Sequence, residues 1–199
     1  MIDPNDVTDP ARSPRQLEEF LLFCIVVAGK NADQQARKLE DFLKGREPFA
    51  FIRSLGAEGG VEERLEHVKL GKYRLLGDSF RRLAGAGLDL RKCSWEALTQ
   101  FPGIGIKTAK FFVLHSRPGE MHGVLDTHVL GWMRARLAAA GTLRPGAPRH
   151  SPQDRAAYSF WETVYFGLVL ARAREKGGPP GPVDWAQVDL DLWKERRAL

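Results

Sequence analysis

The amino-acid sequence predicts an all-α fold on three observations. Apolar residues recur at helical spacing through most of the chain, Ser-Pro, Asn and Gly signals bracket those runs, and no stretch sustains the period-two alternation of a strand. There is no internal repeat at a fixed long period. Nine or ten helices are expected.

The first twelve residues, MIDPNDVTDPAR, are polar and interrupted by proline, and are expected to form a loosely held arm. Ser13-Pro14 supplies an N-cap and a proline at the first helical position, with Glu18 and Glu19 near the positive end of the helix dipole. Leu17, Phe20, Leu21, Cys24 and Ala28 form one stripe of this helix, and Leu22, Phe23, Ile25, Val26 and Val27 fill its other faces. A helix apolar on nearly every side belongs in a core. Gly29 ends it, and the corner Lys30-Asn31 leads to a second helix over 32–44, stopped by Gly45. A shorter helix is expected over 48–55, followed by a flexible turn at 57–60.

Residues 62–84 read as two helices broken near Gly71 or Gly77, with Leu65, Val68, Leu75, Leu76, Phe80 and Leu83 inward and Arg74, Arg81 and Arg82 on a solvated face. Residues 85–90 form a loop, and Ser94 caps the helix that follows. A Pro-Gly-x-Gly hairpin, Pro102-Gly103-Ile104-Gly105, connects it to a helix carrying Lys107. Asp126 starts another helix that runs to Gly141. After a Pro/Gly-rich connection, Ser151-Pro152 begins a long helix to about Lys176; a rigid turn at 177–182 then leads to a last helix opened by Pro182 or Val183.

The composition bounds the function. A chain of 199 residues is long enough for one core or two small lobes, and 43% hydrophobic with 28% charged residues suits a globular protein. A net charge of +5 suits a polyanionic partner. The two cysteines, Cys24 and Cys93, are too few for a four-cysteine zinc or iron–sulfur site, and with no secretory signal the expected compartment is a reducing cytoplasm. The apolar run at 20–28 is far shorter than the roughly 20 residues needed to cross a bilayer, so no membrane role is expected.

Chemistry concentrates between Trp95 and Trp132. The hairpin glycines permit positive φ and close backbone approach, and the N-terminus of the following helix directs unpaired N–H groups outward, a geometry that suits phosphate oxygens. A tight helix-helix turn would use the same glycines for packing alone. Lys107 stands in a helical first turn, where the macrodipole disfavours a cation, and Asp126 follows it by 19 residues. On its own, Asp126 is also a plain N-cap.

FPGIGIKTA followed by VLDTHV resembles the helix-hairpin-helix DNA glycosylases of the endonuclease III superfamily, the HhH-GPD family. The resemblance covers most of the chain, but it is specific only from the hairpin to the aspartate. It implies a two-lobed all-α fold, with a six-helix barrel lobe at 30–119 and a second helical lobe from 1–29 plus 120–199. DNA would lie across the cleft with a flipped nucleotide between Lys107 and Asp126.

The implied reaction is a bifunctional one of base excision repair. Asp126 stabilises positive character on the sugar, and the deprotonated Lys107 amine captures C1′. β-Elimination from the resulting imine then cuts the strand. Pro102, Gly103, Ile104 and Gly105 would hold the DNA backbone. Lys30 or Asn31, at the corner after the first helix, would fill the gap left by the flipped base, although either also suits a helix cap.

No cofactor is required and no iron–sulfur cluster is expected, while Na⁺ or K⁺ on the hairpin carbonyls accompanies DNA binding in the superfamily. His115, His122 and His128 lack metal spacing. Without a cluster, Trp161, Tyr165, Phe166 and Leu170 are the expected packing of the C-terminal lobe.

The tail VDWAQVDLDLWKERRAL weakly resembles the C-terminal helix of compact archaeal-type 8-oxoguanine glycosylases, but it ends Arg-Ala-Leu where those enzymes place a lysine. Trp185 and Trp193 are candidates for stacking on a base, although tryptophans at helical spacing more often pack in a core.

The expectation is therefore a monomeric DNA glycosylase with AP-lyase activity, cytoplasmic or nucleoid-associated, that acts on double-stranded damaged DNA, with 8-oxoguanine slightly ahead of oxidised pyrimidines. The alternatives are a glycosylase for alkylated or mismatched bases with little lyase activity and, least favoured, a non-enzymatic DNA-binding module.

Overall fold

The computed structural model describes residues 2–56, 60–141, 147–175 and 182–197, with 196 and 197 described by their backbone only. Ten helices and no strand occur among them. The chain divides into two compact units, Met1–Arg117 and Pro118–Leu199.

The first unit holds α1 (Pro14–Val26), α2 (Ala32–Leu43), α3 (Pro48–Ser54), α4 (Gly60–His67), α5 (Tyr73–Gly85), α6 (Trp95–Leu98) and α7 (Ile106–Ser116). Ser13 and Gln16 close a reciprocal capping box at the start of α1. All residues from Phe20 to Val26 are buried, as a helix apolar on every face requires. Helix α1 packs on α2, α3 and α7. Phe20 meets Phe111 and Phe112 at 5.9 and 5.7 Å between ring centroids. A second aromatic cluster forms where Phe42 of α2 meets Phe51 of α3 and Phe80 of α5, each at 5.7 Å.

Glu18 does not act at its own helix start. Its carboxylate accepts the Phe49 N–H at 2.9 Å, capping α3, whose own N-cap Glu47 makes no side-chain cap bond. Residues 1–29 fall within the first unit.

Several local expectations change. The arm is held, not loose: Val7 and Arg12 are buried. The Arg12 guanidinium donates to the carbonyls of Val7, Asp9 and His115, and lies 3.8 Å over the Phe20 ring. Thr8 Oγ1 pairs with His115 Nδ1 at 2.8 Å, and Arg91 donates to the carbonyls of Pro10 and Arg12. The Asp9 N–H reaches the His115 carbonyl at the C-terminal end of α7 at 3.1 Å, and arginine side chains take up the arm's carbonyls, partnerships that no local pattern announces.

The break between α4 and α5 falls at residues 68–72, and Gly77 lies inside α5. There it admits Glu62 of α4: a Cβ at Gly77 would stand 2.9 Å from Glu62 Cγ. Arg81 is not simply solvated, because it binds Glu62. Leu75 is exposed, not inward. The expected turn at 57–60 lies outside the described residues, apart from Gly60.

The second unit holds α8 (Thr127–Ala139), α9 (Arg155–Glu175) and α10 (Trp185–Arg197), with α8 packed on both others. Asp154, not Ser151, caps α9 by accepting the Ala157 N–H at 2.9 Å. Asp184 similarly accepts from Gln187 at the start of α10. The turn at 177–181 lies outside the described residues. Tyr165 is fully buried against Trp132 and Trp185, whereas Leu170 is exposed. No described helix is long and apolar enough to cross a membrane.

Candidate functional site

In the first unit the hairpin stands between α6, a single turn capped by Ser94, and α7. It closes with a bond from the Ile104 N–H to the Phe101 carbonyl at 3.1 Å. Gly103 takes φ +81°, the conformation that needs glycine, while Gly105 is extended at φ −86°. Gly105 is the N-cap of α7 and supplies no side-chain cap to the first-turn N–H groups. Those groups and the dipole make the turn suited to an anion.

Lys107 occupies the second position of α7 and is half-buried. Beneath α7 lies Cys24 of α1, whose thiol pKa is raised by burial and pulled partly back by the charges of Arg12 and Lys107. One turn beyond Lys107, Lys110 is buried with its ammonium 4.9 Å from the Trp95 ring, tying α6 to α7. The C-terminal end of the same helix carries the arm contacts at His115. Thus α7 is fixed at both ends while Lys107 stays near the surface.

In the second unit Asp126 is the N-cap of α8, accepting the Val129 N–H at 2.8 Å. Its cap role is therefore realised, whatever else it does. The approach to it is held tightly. Glu162 accepts the Gly123 N–H at 2.8 Å, and the Tyr158 hydroxyl donates to the Gly123 carbonyl at 2.9 Å while accepting the Leu125 N–H at 3.1 Å. Burial drives the Tyr158 pKa upward, with the carboxylates of Glu162, Asp189 and Asp126 acting in the same direction, so the hydroxyl keeps its proton. Gly123 is required by close packing: a Cβ there would stand 2.9 Å from the Tyr165 ring. Sequence reading passed over Tyr158 and Glu162, although Glu is seldom buried unless it has partners.

The remaining candidates have structural occupations. Asn31 caps α2 by accepting from Gln34 at 3.0 Å, and Lys30 donates to the Leu70 carbonyl. Trp185 is 9% exposed and packs on Phe166 at 4.7 Å, a core role. Trp193 is half-buried. The second unit contains a cavity of about 190 Å³ lined by Trp132, Val169, Arg172, Val188 and Leu192, which includes neither predicted tryptophan. Among the described residues, no three His, Cys, Asp or Glu side chains group to hold a metal ion.

The structure thus brings Lys107 together with the hairpin in one unit, and Asp126 together with its Tyr158–Glu162 support in the other. Comparison with protein-family models, curated proteins and solved structures found no match.

Proposed function

We propose that the chain is a DNA glycosylase with AP-lyase activity that removes an oxidised base, 8-oxoguanine ahead of oxidised pyrimidines, from duplex DNA. The observation that carries this reading is one helix start seen closely: a glycine hairpin, an N-terminus with no side-chain cap, and a lysine in its first turn, with an N-cap aspartate 19 residues on. A cation in a first turn opposes the helix dipole, and an anionic backbone at the hairpin offsets that opposition.

Phosphates at the hairpin would position the strand. As the C1′–N bond breaks, its electron pair leaves with the base, and Asp126 stabilises the positive charge left on the sugar. The Lys107 amine bonds to C1′, and a proton passes from its nitrogen to the ring oxygen as the C1′–O4′ bond breaks, giving the iminium. Loss of a C2′ proton then expels the 3′ phosphate, cutting the strand without any net redox change.

The test is borohydride reduction in the presence of duplexes carrying 8-oxoguanine, an oxidised pyrimidine or an abasic site. A covalent protein–DNA adduct is expected on at least one of them and none is expected with Lys107→Ala. No adduct on any substrate, or an undiminished adduct in the variant, would sink the proposal.

A further inference from the structure

The turn between α4 and α5 carries a cluster of ammonium groups that the chemistry above does not use. Lys69, Gly71 and Lys72 all adopt left-handed φ, at 56°, 75° and 51°. Lys38 of α2 donates to the Lys69 carbonyl at 2.8 Å, and Lys30, at the corner before α2, donates to the Leu70 carbonyl. Gly71 makes room for that approach, since a Cβ there would lie 3.1 Å from Lys30 Nζ. An ammonium has three N–H groups, so Lys30 and Lys38 each keep donors beyond these bonds.

Lys69 and Lys72 are exposed, and neither has a carboxylate partner among the described residues. Like charges are gathered here at an electrostatic cost. Lys30 has its pKa lowered by burial first and then by Lys72 and Lys38. A polyanion would relieve this repulsion.

The cluster adjoins the hairpin. Leu75, three residues after Lys72 and 42% exposed, lies against Gly103, its Cγ 3.5 Å from where a Cβ would stand. Three residues along a helix advance roughly 4.5 Å, and a DNA strand presents a phosphate about every 3.4 Å of axis. The hairpin and the lysine turn therefore meet at the same stretch of α5, with Leu75 against Gly103 and Lys72 three residues before it.

We infer that Lys30, Lys38, Lys69 and Lys72 form a second clamp for the phosphodiester backbone of duplex DNA, continuing the track that begins at the Pro102–Gly105 hairpin. The inference takes its partner from the proposed function, but it does not depend on the chemistry at Lys107.

The experiment is equilibrium binding of a short undamaged duplex across a series of salt concentrations, for the wild type and for Lys69→Gln/Lys72→Gln. Each neutralised phosphate contributes about 0.9 to the slope of log K against log salt, so the double variant is expected to lose about 1.8. Lys69→Arg/Lys72→Arg, which keeps both charges, is expected to retain the wild-type slope. Lys44→Gln/Lys92→Gln, which removes two exposed charges elsewhere in the same unit, is also expected to retain it. An unchanged slope in Lys69→Gln/Lys72→Gln, or an equal fall in Lys44→Gln/Lys92→Gln, overturns the clamp.

Because both side chains are exposed, the thermal unfolding curve of the Gln variant is expected to match the wild type. If it does not, Lys72→Gln alone is expected to lose about 0.9, and an unchanged slope there overturns the clamp as well. Borohydride trapping separates the two readings. A lost slope without any adduct leaves the clamp standing and removes the lyase, while an adduct with an unchanged slope does the reverse.

Discussion

Asp126 caps α8, and one substitution separates that role from the catalytic one proposed for it. Asn and Asp are nearly equivalent N-caps, whereas Ala in place of either costs about 1 kcal/mol. Asp126→Asn is therefore expected to leave thermal stability close to wild type while lowering base release on the order of a hundredfold or more, the scale typical of a positioned catalytic carboxylate. Equal activity in Asp126→Asn would reduce Asp126 to a cap. Tyr158 permits a complementary test. Tyr158→Phe keeps the ring but strips the Gly123 carbonyl and the Leu125 N–H of their partner. With these groups buried, urea unfolding is expected to show a loss of about 2 kcal/mol. Neither residue announced its full role in the sequence. Asp126 was legible as an N-cap from its place before Thr-His, but Tyr158 reads as one more aromatic in an apolar helix until the fold sets its hydroxyl between two backbone groups.

Helix α5 shows what a helix-interior glycine can mean. Gly77 suggests a break when read locally, yet it lies inside α5, where its missing Cβ leaves the space that Glu62 of α4 fills as it binds Arg81. The hydrogen bond from Arg81 is the main cause holding the Glu62 carboxyl below its ordinary value, with burial opposing it. A depressed carboxylate pKa contributes stability that is present above the unfolded-state value, about 4.3, and is lost as pH falls through the folded value. Glu62→Gln is thus expected to flatten the acid limb of stability below about pH 4.3, measured as melting temperature against pH. Gly77→Ala is expected to flatten it too, by displacing Glu62 from Arg81, despite the roughly 1 kcal/mol gained in helix propensity. An acid limb as steep as the wild type's in both variants would exclude this pairing as its source. At the same scale α7 was legible as an element, but its anchoring by Lys110 at Trp95 and by the arm at His115 was not, since those partners lie far away along the chain.

For the chain as a whole, the division at Arg117 and Pro118 gives each unit its own core. The first is built on Phe20, Phe42, Phe80 and Phe112, all fully buried. Residues 1–117 expressed alone are expected to unfold cooperatively when followed by circular dichroism, and Phe42→Ala in the full chain is expected to cost about 3–5 kcal/mol. A non-cooperative melt of the fragment would mean that the first unit needs the second. Helix α1 belongs to the first unit. Its all-round apolar surface identified it as a core helix, but that property is satisfied by any set of neighbours, and packing against α2, α3 and α7 settles which ones it has.

The sequence by itself determined the helical class, most helix starts and the positions of the hairpin, Lys107 and Asp126, because these rest on spacing, caps and glycine conformations within a few residues. Tertiary structure alone decided the held arm, the burial of Lys110, the Tyr158–Glu162 support and the gathering of four lysines at one turn. Each depends on side chains meeting backbone groups or rings of another element, and such partnerships leave no periodic trace in the chain.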